Sequence, residues 1–249
     1  MNAPIMSLPA LTEQDWFRSA DPIVLLDHLF PMHGFHSTPE QPRKLRLYYA
    51  ACARRAYRRL NTIQRGLLEA AELLADGLLP EGSLPDILEM CEDTANGNML
   101  QAQELRKLGE LLGCDPTAWE NKNPAIDSNE IQELGRLVFQ PFHDIIPATL
   151  RVSRPLHSAD IVREVFANPF RTPWWQNEWR TANTLGIAQK MYESRQFQAM
   201  GELADALEES GCQDREILLH CREQNEQHYR GCWVVDWILD TKNHYLGLQ

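Results

Sequence analysis

The sequence predicts an all-α protein: a multi-helix bundle or irregular array of about ten to twelve short helices, with no significant sheet. Three observations carry this. Apolar residues return at three- and four-residue spacing along most of the chain. Helix-capping residues recur just ahead of those apolar stretches. No long β-branched run alternates with period two, and Asn96-Gly97 falls between helical patterns rather than between strands.

The elements follow in order. Thr12-Glu13-Gln14-Asp15 reads as a capping box with a short acid at its last position. Asp21-Pro22 supplies an N-cap and a first-turn proline for a helix over 23–30, and 31–42 is a proline-rich loop. A helix over 43–60 places Leu45, Tyr49, Cys52, Ala56 and Leu60 on one stripe. Thr62 caps a helix running to about Leu79, and Ser83 caps another through Glu92. Residues 98–112 form a helix closed by Gly113. Asp115-Pro116 opens a short turn of helix, and Ser128 caps 129–140. Ser158 caps 159–167, Pro173 starts a helix over 174–194, and Gly211 ends one over 196–210. Helices over 214–223 and 231–240 complete the set. Three prolines in 141–155 suggest a division into an N-terminal helical unit (1–140), a connector (141–157) and a C-terminal unit (158–249), unless the whole is one continuous domain.

Composition narrows the function classes. The chain of 249 residues is long enough to bury a core without staples. No apolar run reaches the roughly 18 residues of a membrane span, and the first ten residues lack a secretory signal, so the expected place is the cytoplasm, with no membrane partner. Six cysteines spread along the chain read as free, buried thiols of a reducing compartment. A net charge of -11 argues against a general nucleic-acid binder. The charge is uneven, however: 43–65 holds eight basic residues and no acid, whereas 66–140 holds fifteen acids against four bases.

Several segments resemble a known family. Asn168-Pro169-Phe170-Arg171 is followed by Ile187-Ala188-Gln189-Lys190-Met191-Tyr192, by Leu203-Ala204-Asp205-Ala206-Leu207-Glu208-Glu209-Ser210-Gly211-Cys212, and by His228-Tyr229-Arg230-Gly231-Cys232-Trp233-Val234-Val235-Asp236. With Thr12-Glu13-Gln14-Asp15-Trp16, Asp21-Pro22 and Arg43-Lys44-Leu45-Arg46-Leu47, these resemble a family of uncharacterised helical proteins abundant in planctomycete bacteria. The likeness covers most of the chain and is weakest over 95–150. It implies a helical fold and a bacterial lineage, and it carries no activity. The chain departs from the family at Trp174-Trp175 and at 223–227, where the family has a Gly-Pro-rich turn.

Five constellations bear on chemistry. Cys212, His220, His228 and Cys232 are spaced C-x7-H-x7-H-x3-C, and sulfur and nitrogen donors suit a structural zinc ion. No C-x2-C knuckle accompanies them, and Cys212 and His220 sit about 12 Å apart along one short helix. Buried thiols and capping histidines are the plainer reading, with no cofactor. His220, Arg222, His228, Arg230 and Asp236 suit phosphate binding or acid–base work, or a network that fixes the last turn. Arg54, Arg55, Arg58 and Arg59 form two i, i+4 pairs that suit phosphate or nucleic acid, or that pack beside the acidic helices. His28, His33 and His36 read as exposed loop histidines. Trp174, Trp175 and Trp179 suit a partner-binding anchor or a sealed helix junction. No phosphate loop, dinucleotide fingerprint or nucleophile elbow is present. The leading expectation is therefore a non-enzymatic interaction or adaptor protein, an accessory subunit of a larger bacterial nucleoprotein or defence complex. The alternatives are a hydrolase or phosphoryl-processing enzyme using His220–Asp236, and a nucleic-acid-binding accessory protein using 43–65.

Overall fold

A computed structural model describes residues 11–29, 41–80, 82–96, 102–113, 158–171, 175–223 and 227–239, without the side chains of 41, 42, 91, 94, 95 and 102. Among these residues the chain forms eleven α-helices and one 3-10 turn, and no strand. The expected helix over 129–140, the connector 141–157, His33, His36, Cys114 and Trp174 lie outside the described residues.

Local signals place most helix ends. Helix α1 (Glu13–Arg18) opens on Thr12, whose hydroxyl accepts the Asp15 N–H while the Asp15 carboxylate accepts the Thr12 N–H. In α2 (Pro22–Leu29), Asp21 accepts the Ile23 N–H at 3.0 Å. Helix α3 spans Gln41–Arg55 and stops short of the expected Leu60. Beyond Arg55 the backbone tightens into i→i+3 bonds, and the Arg65 guanidinium takes the freed carbonyls of Tyr57 and Arg58. Arg58 and Arg59 therefore sit on a turn, not one helical turn above Arg54 and Arg55.

Helix α4 (Thr62–Ala75) is capped by Asn61 rather than by Thr62, because Asn61 and Gln64 form a reciprocal capping box. Helices α5 (Ser83–Ala95) and α6 (Ala102–Leu112) follow, with Gly113 at φ +64° behind α6. Helix α7 (Ala159–Phe166) is capped by Ser158. The helix expected over 174–194 divides in two. A 3-10 turn (Asn177–Trp179) precedes α8 (Ala182–Ser194), because Thr181 caps the Thr184 N–H and the Thr184 hydroxyl donates back to the Trp179 carbonyl. Helix α9 (Met200–Glu209) ends in a Schellman arrangement at Gly211, with Cys212 N–H bonded to the Leu207 carbonyl. Helices α10 (Arg215–Arg222, capped by Asp214) and α11 (Trp233–Leu239) close the fold.

The helices build two cores. In the first, α3 packs on α4 and α7, α2 packs on α7, and α5 and α6 pack on α4. Helix α3 is buried on nearly all sides from Leu45 to Ala53, beyond the single stripe its spacing suggests. The second core is made by α8–α11 around Met191, Leu203, Leu207, Ile217, Cys232 and Val234. Helix α7 falls within the expected C-terminal unit, yet its Ile161, Val162, Val165 and Phe166 belong to the first core. The cores exchange at Phe166 and Ala167. Ala167 takes φ +56°, a conformation unfavourable to any residue with a Cβ, and turns the chain out of α7 into the second core.

Candidate functional site

The boundary between the cores is polar. Packing leaves buried charges there, and each must find a partner. The first group forms around Asp236, the single charged residue of α11 and only 1% exposed. Arg43, from the first turn of α3, donates Nη1 to Asp236 Oδ2 at 2.7 Å and Nη2 to Asp236 Oδ1 at 3.2 Å. Its Nε reaches Asp76 Oδ1 at 3.0 Å and its Nη2 reaches Tyr192 Oη at 2.7 Å. Lys44 donates to Asp236 Oδ2 at 2.6 Å and to the carbonyls of Val165 and Gly231, both at 3.0 Å. Three acceptors match the three protons of one ammonium group. Burial by itself would raise the Asp236 pKa, but Lys44 and Arg43 hold its carboxyl far below the usual carboxylate range.

A second acid extends this seam. Glu72 of α4 accepts Arg54 Nε at 2.8 Å and Arg54 Nη2 at 2.9 Å, and also Arg195 Nε. Arg195 occupies the left-handed C-cap of α8 at φ +57°, which aims its side chain across the boundary. Arg230 lies over the Tyr192 ring at 4.4 Å and faces Asp76 at 3.5 Å. Among the described residues its buried Nε and Nη1 find no hydrogen-bond partner, although Nη1 faces Glu72 Oε2 at 3.9 Å.

The second group forms around Glu164 of α7. His220 Nε2 lies 3.2 Å from Glu164 Oε2, and His228 Nδ1 lies 3.1 Å from the same oxygen. Cys232 Sγ lies 3.2 Å from His220 Nε2. The donor atoms of Glu164, His220, His228 and Cys232 all fall within 4.8 Å of one another, a spacing that suits a metal ion. Glu164 Oε1 also accepts the Tyr229 N–H at 3.2 Å, which fixes the carboxylate plane. Burial would raise the Glu164 pKa, yet the facing imidazoles lower it to about 2. Burial and the Glu164 charge push the Cys232 thiol well above its ordinary value. The imidazole of His220 packs on Trp233, with ring centroids 5.0 Å apart.

An open groove of about 1140 Å³ runs alongside this group. Arg54, Tyr57 and Glu69 of the first core form one wall. Residues 194–198, with Arg222, Gln227, His228 and Tyr229, form the other.

The residues singled out by sequence separate into distinct places. Of Cys212, His220, His228 and Cys232, the last three converge, and Glu164 stands where Cys212 was expected. Cys212 is buried in the second core, outside the cluster. Of His220, Arg222, His228, Arg230 and Asp236, two join Glu164 and two join the seam. Arg222 instead pairs on the surface with Asp205 and Glu208. Arg54 is held by Glu72, while Arg55, Arg58 and Arg59 are exposed. Trp175 and Trp179 stack edge-to-face at 5.5 Å, and Trp175 also meets Trp237 at 5.7 Å, so both help to close the second core. His28 stacks on Phe170 at 5.1 Å.

Glu164, Glu72, Asp76, Tyr192 and Arg195 were not foreseen. No local signal marks Glu164: it sits with Asp160 and Arg163 on the polar side of α7, and only the packing of α10 and the turn before α11 against it buries it. Comparison with protein-family models, with curated proteins and with solved structures finds no match for this chain. No helix among the described residues is long and apolar enough to cross a membrane.

Proposed function

We propose that this chain is a non-enzymatic helical interaction protein, an adaptor or accessory subunit that presents the groove between its two cores to a protein partner. One observation carries the reading: the groove is composite, with walls from both cores, and most charges of the boundary beneath it are paired with one another. Arg43 and Lys44 bond Asp236, and Arg54 bonds Glu72, which fixes the walls. The groove itself offers amide side chains (Gln196, Gln198, Gln227) that suit a polypeptide main chain. Tyr57, Phe197 and Tyr229 suit apolar side chains of a partner, as aromatic residues do at interfaces.

Gln196 and Gln198 are exposed, so their joint replacement by alanine leaves the fold intact. Cross-linking and purification of the tagged full chain from its host recovers a partner of fixed stoichiometry, and the double variant loses it. Absence of such a partner, or its retention by the double variant, overturns the proposal.

A second reading, metal-assisted hydrolysis, draws on His228, which belongs to both the Glu164 cluster and the groove wall. Catalytic zinc keeps an open coordination position, and four protein donors leave none. The interaction reading is therefore preferred.

A further inference from the structure

We propose that Glu164, His220, His228 and Cys232 bind one zinc ion in a closed four-ligand site that pins the second core to the first. The donors are two imidazole nitrogens, one thiol sulfur and one carboxylate oxygen, and each is a zinc ligand type. Zinc–ligand bonds of about 2.0–2.3 Å at tetrahedral angles put neighbouring donors about 3.3–3.8 Å apart. The separations along three edges of the cluster are 3.1–3.2 Å. The other separations reach no more than 4.8 Å, so side-chain movements of about an ångström seat the ion.

Charge supports the same assignment. A carboxylate, a thiolate and two neutral imidazoles balance a divalent cation, so the occupied site is neutral and its burial carries little penalty. Cys232 ligates as its thiolate, and the incoming cation displaces the thiol proton to solvent. The Tyr229 N–H holds Glu164 Oε1, which leaves Oε2, the oxygen closest to both imidazoles, to meet the metal. The mixed sulfur, nitrogen and oxygen set selects zinc over magnesium or calcium, which take oxygen alone.

Connectivity gives the ion its role. Glu164 comes from the first core, His220 from α10, and His228 and Cys232 from the turn entering α11. The side chains of Glu164, His220 and His228 are 3%, 10% and 5% exposed, so among the described residues the site is nearly shielded from solvent, with His228 also lining the groove. The zinc is structural, and its binding free energy becomes folding free energy.

The test uses the full chain, purified without chelator from zinc-supplemented cells. Elemental analysis finds one zinc per chain. Cobalt(II) added to the stripped protein gives a thiolate-to-metal charge-transfer band with tetrahedral ligand-field bands, and zinc bleaches both. Cobalt also quenches tryptophan fluorescence, because Trp233 packs on His220. Cys232→Ser and His220→Ala lose the metal, Glu164→Gln weakens it about tenfold or more, and Cys212→Ala retains it. A wild-type protein without zinc and without a thiolate band under cobalt overturns the proposal, as does zinc retained by Cys232→Ser. Should those variants fail to fold, the cobalt spectrum of the wild-type chain decides alone.

Discussion

The boundary between the cores is held by two polar groups of opposite character. Around Asp236, a guanidinium and an ammonium answer one carboxylate; burial lowers the Lys44 pKa, but Asp236 supports its charge and every proton has an acceptor. Around Glu164, the answering groups are two histidines and a thiol, whose charges change with protons or metal. Both groups are buried, and both join the first core to the second. The difference teaches that the same geometric task can be met by fixed charges, which give permanence, or by adjustable ones, which give control. Gly231 links the groups: its carbonyl accepts Lys44, and Cys232 follows it.

The sharpest way to break this contrast is at its fixed end. Asp236→Ala leaves Arg43 and Lys44 buried without their main counter-charge and costs about 3–5 kcal/mol. Urea denaturation of the variant against wild type reads the loss. A cost under about 1 kcal/mol, typical of an exposed pair, would mean that the seam is not the permanent lock.

Gly231→Ala strikes the hinge between the groups. Gly231 has φ +92°, and a Cβ there would lie 2.9 Å from Leu47 Cβ. Backbone strain and overpacking together cost about 3 kcal/mol. Thermal denaturation checks it, and a melting temperature equal to wild type would refute the close approach.

Acid sharpens the comparison next. Asp236 and Glu72 both titrate below the usual carboxylate range in the folded chain: burial opposes the shift, and their cationic partners outweigh it. The unfolded chain therefore takes up protons first as pH falls. The stability from these groups is complete above about pH 4 and declines as pH drops toward the folded values. The expected loss between pH 7 and pH 3 is on the order of 2 kcal/mol. Asp236→Asn flattens this acid limb in urea midpoints measured across the range.

The smallest effect marks the surface limit. Arg222 pairs with Asp205 and Glu208, but its side chain is 41% exposed and theirs more so. Arg222→Ala changes stability by less than about 1 kcal/mol. A larger loss in urea denaturation would show that exposed pairs also lock the fold.

Much of the helical framework was legible in the sequence because caps are local. Thr12, Ser158, Gly113 and Gly211 act within a few residues of the ends they define. Two ends that differed are local as well, set by Asn61 with Gln64 and by Thr181 with Thr184, whereas another follows from a contact further away. The termination of α3 at Arg55 depends on Arg65, ten positions along the chain. For the cluster, spacing showed His220, His228 and Cys232. It could not supply Glu164, which lies 64 positions before His228 and shares the polar side of α7 with Asp160 and Arg163. Arg43 and Asp236 are further apart still, at 193 positions, and no periodicity links them.

By itself the sequence determined that this chain coils into many short helices, where most of them begin and end, and which residues carry metal-type donors near the C-terminus. The tertiary structure decided which buried charges meet, that Glu164 rather than Cys212 completes the four-donor cluster, and that α7 joins the first core while reaching into the second. The physical reason is range. Backbone propensity and capping act over one or two turns, whereas pairing of buried charge is settled only when separate helices pack and solvent leaves the space between them.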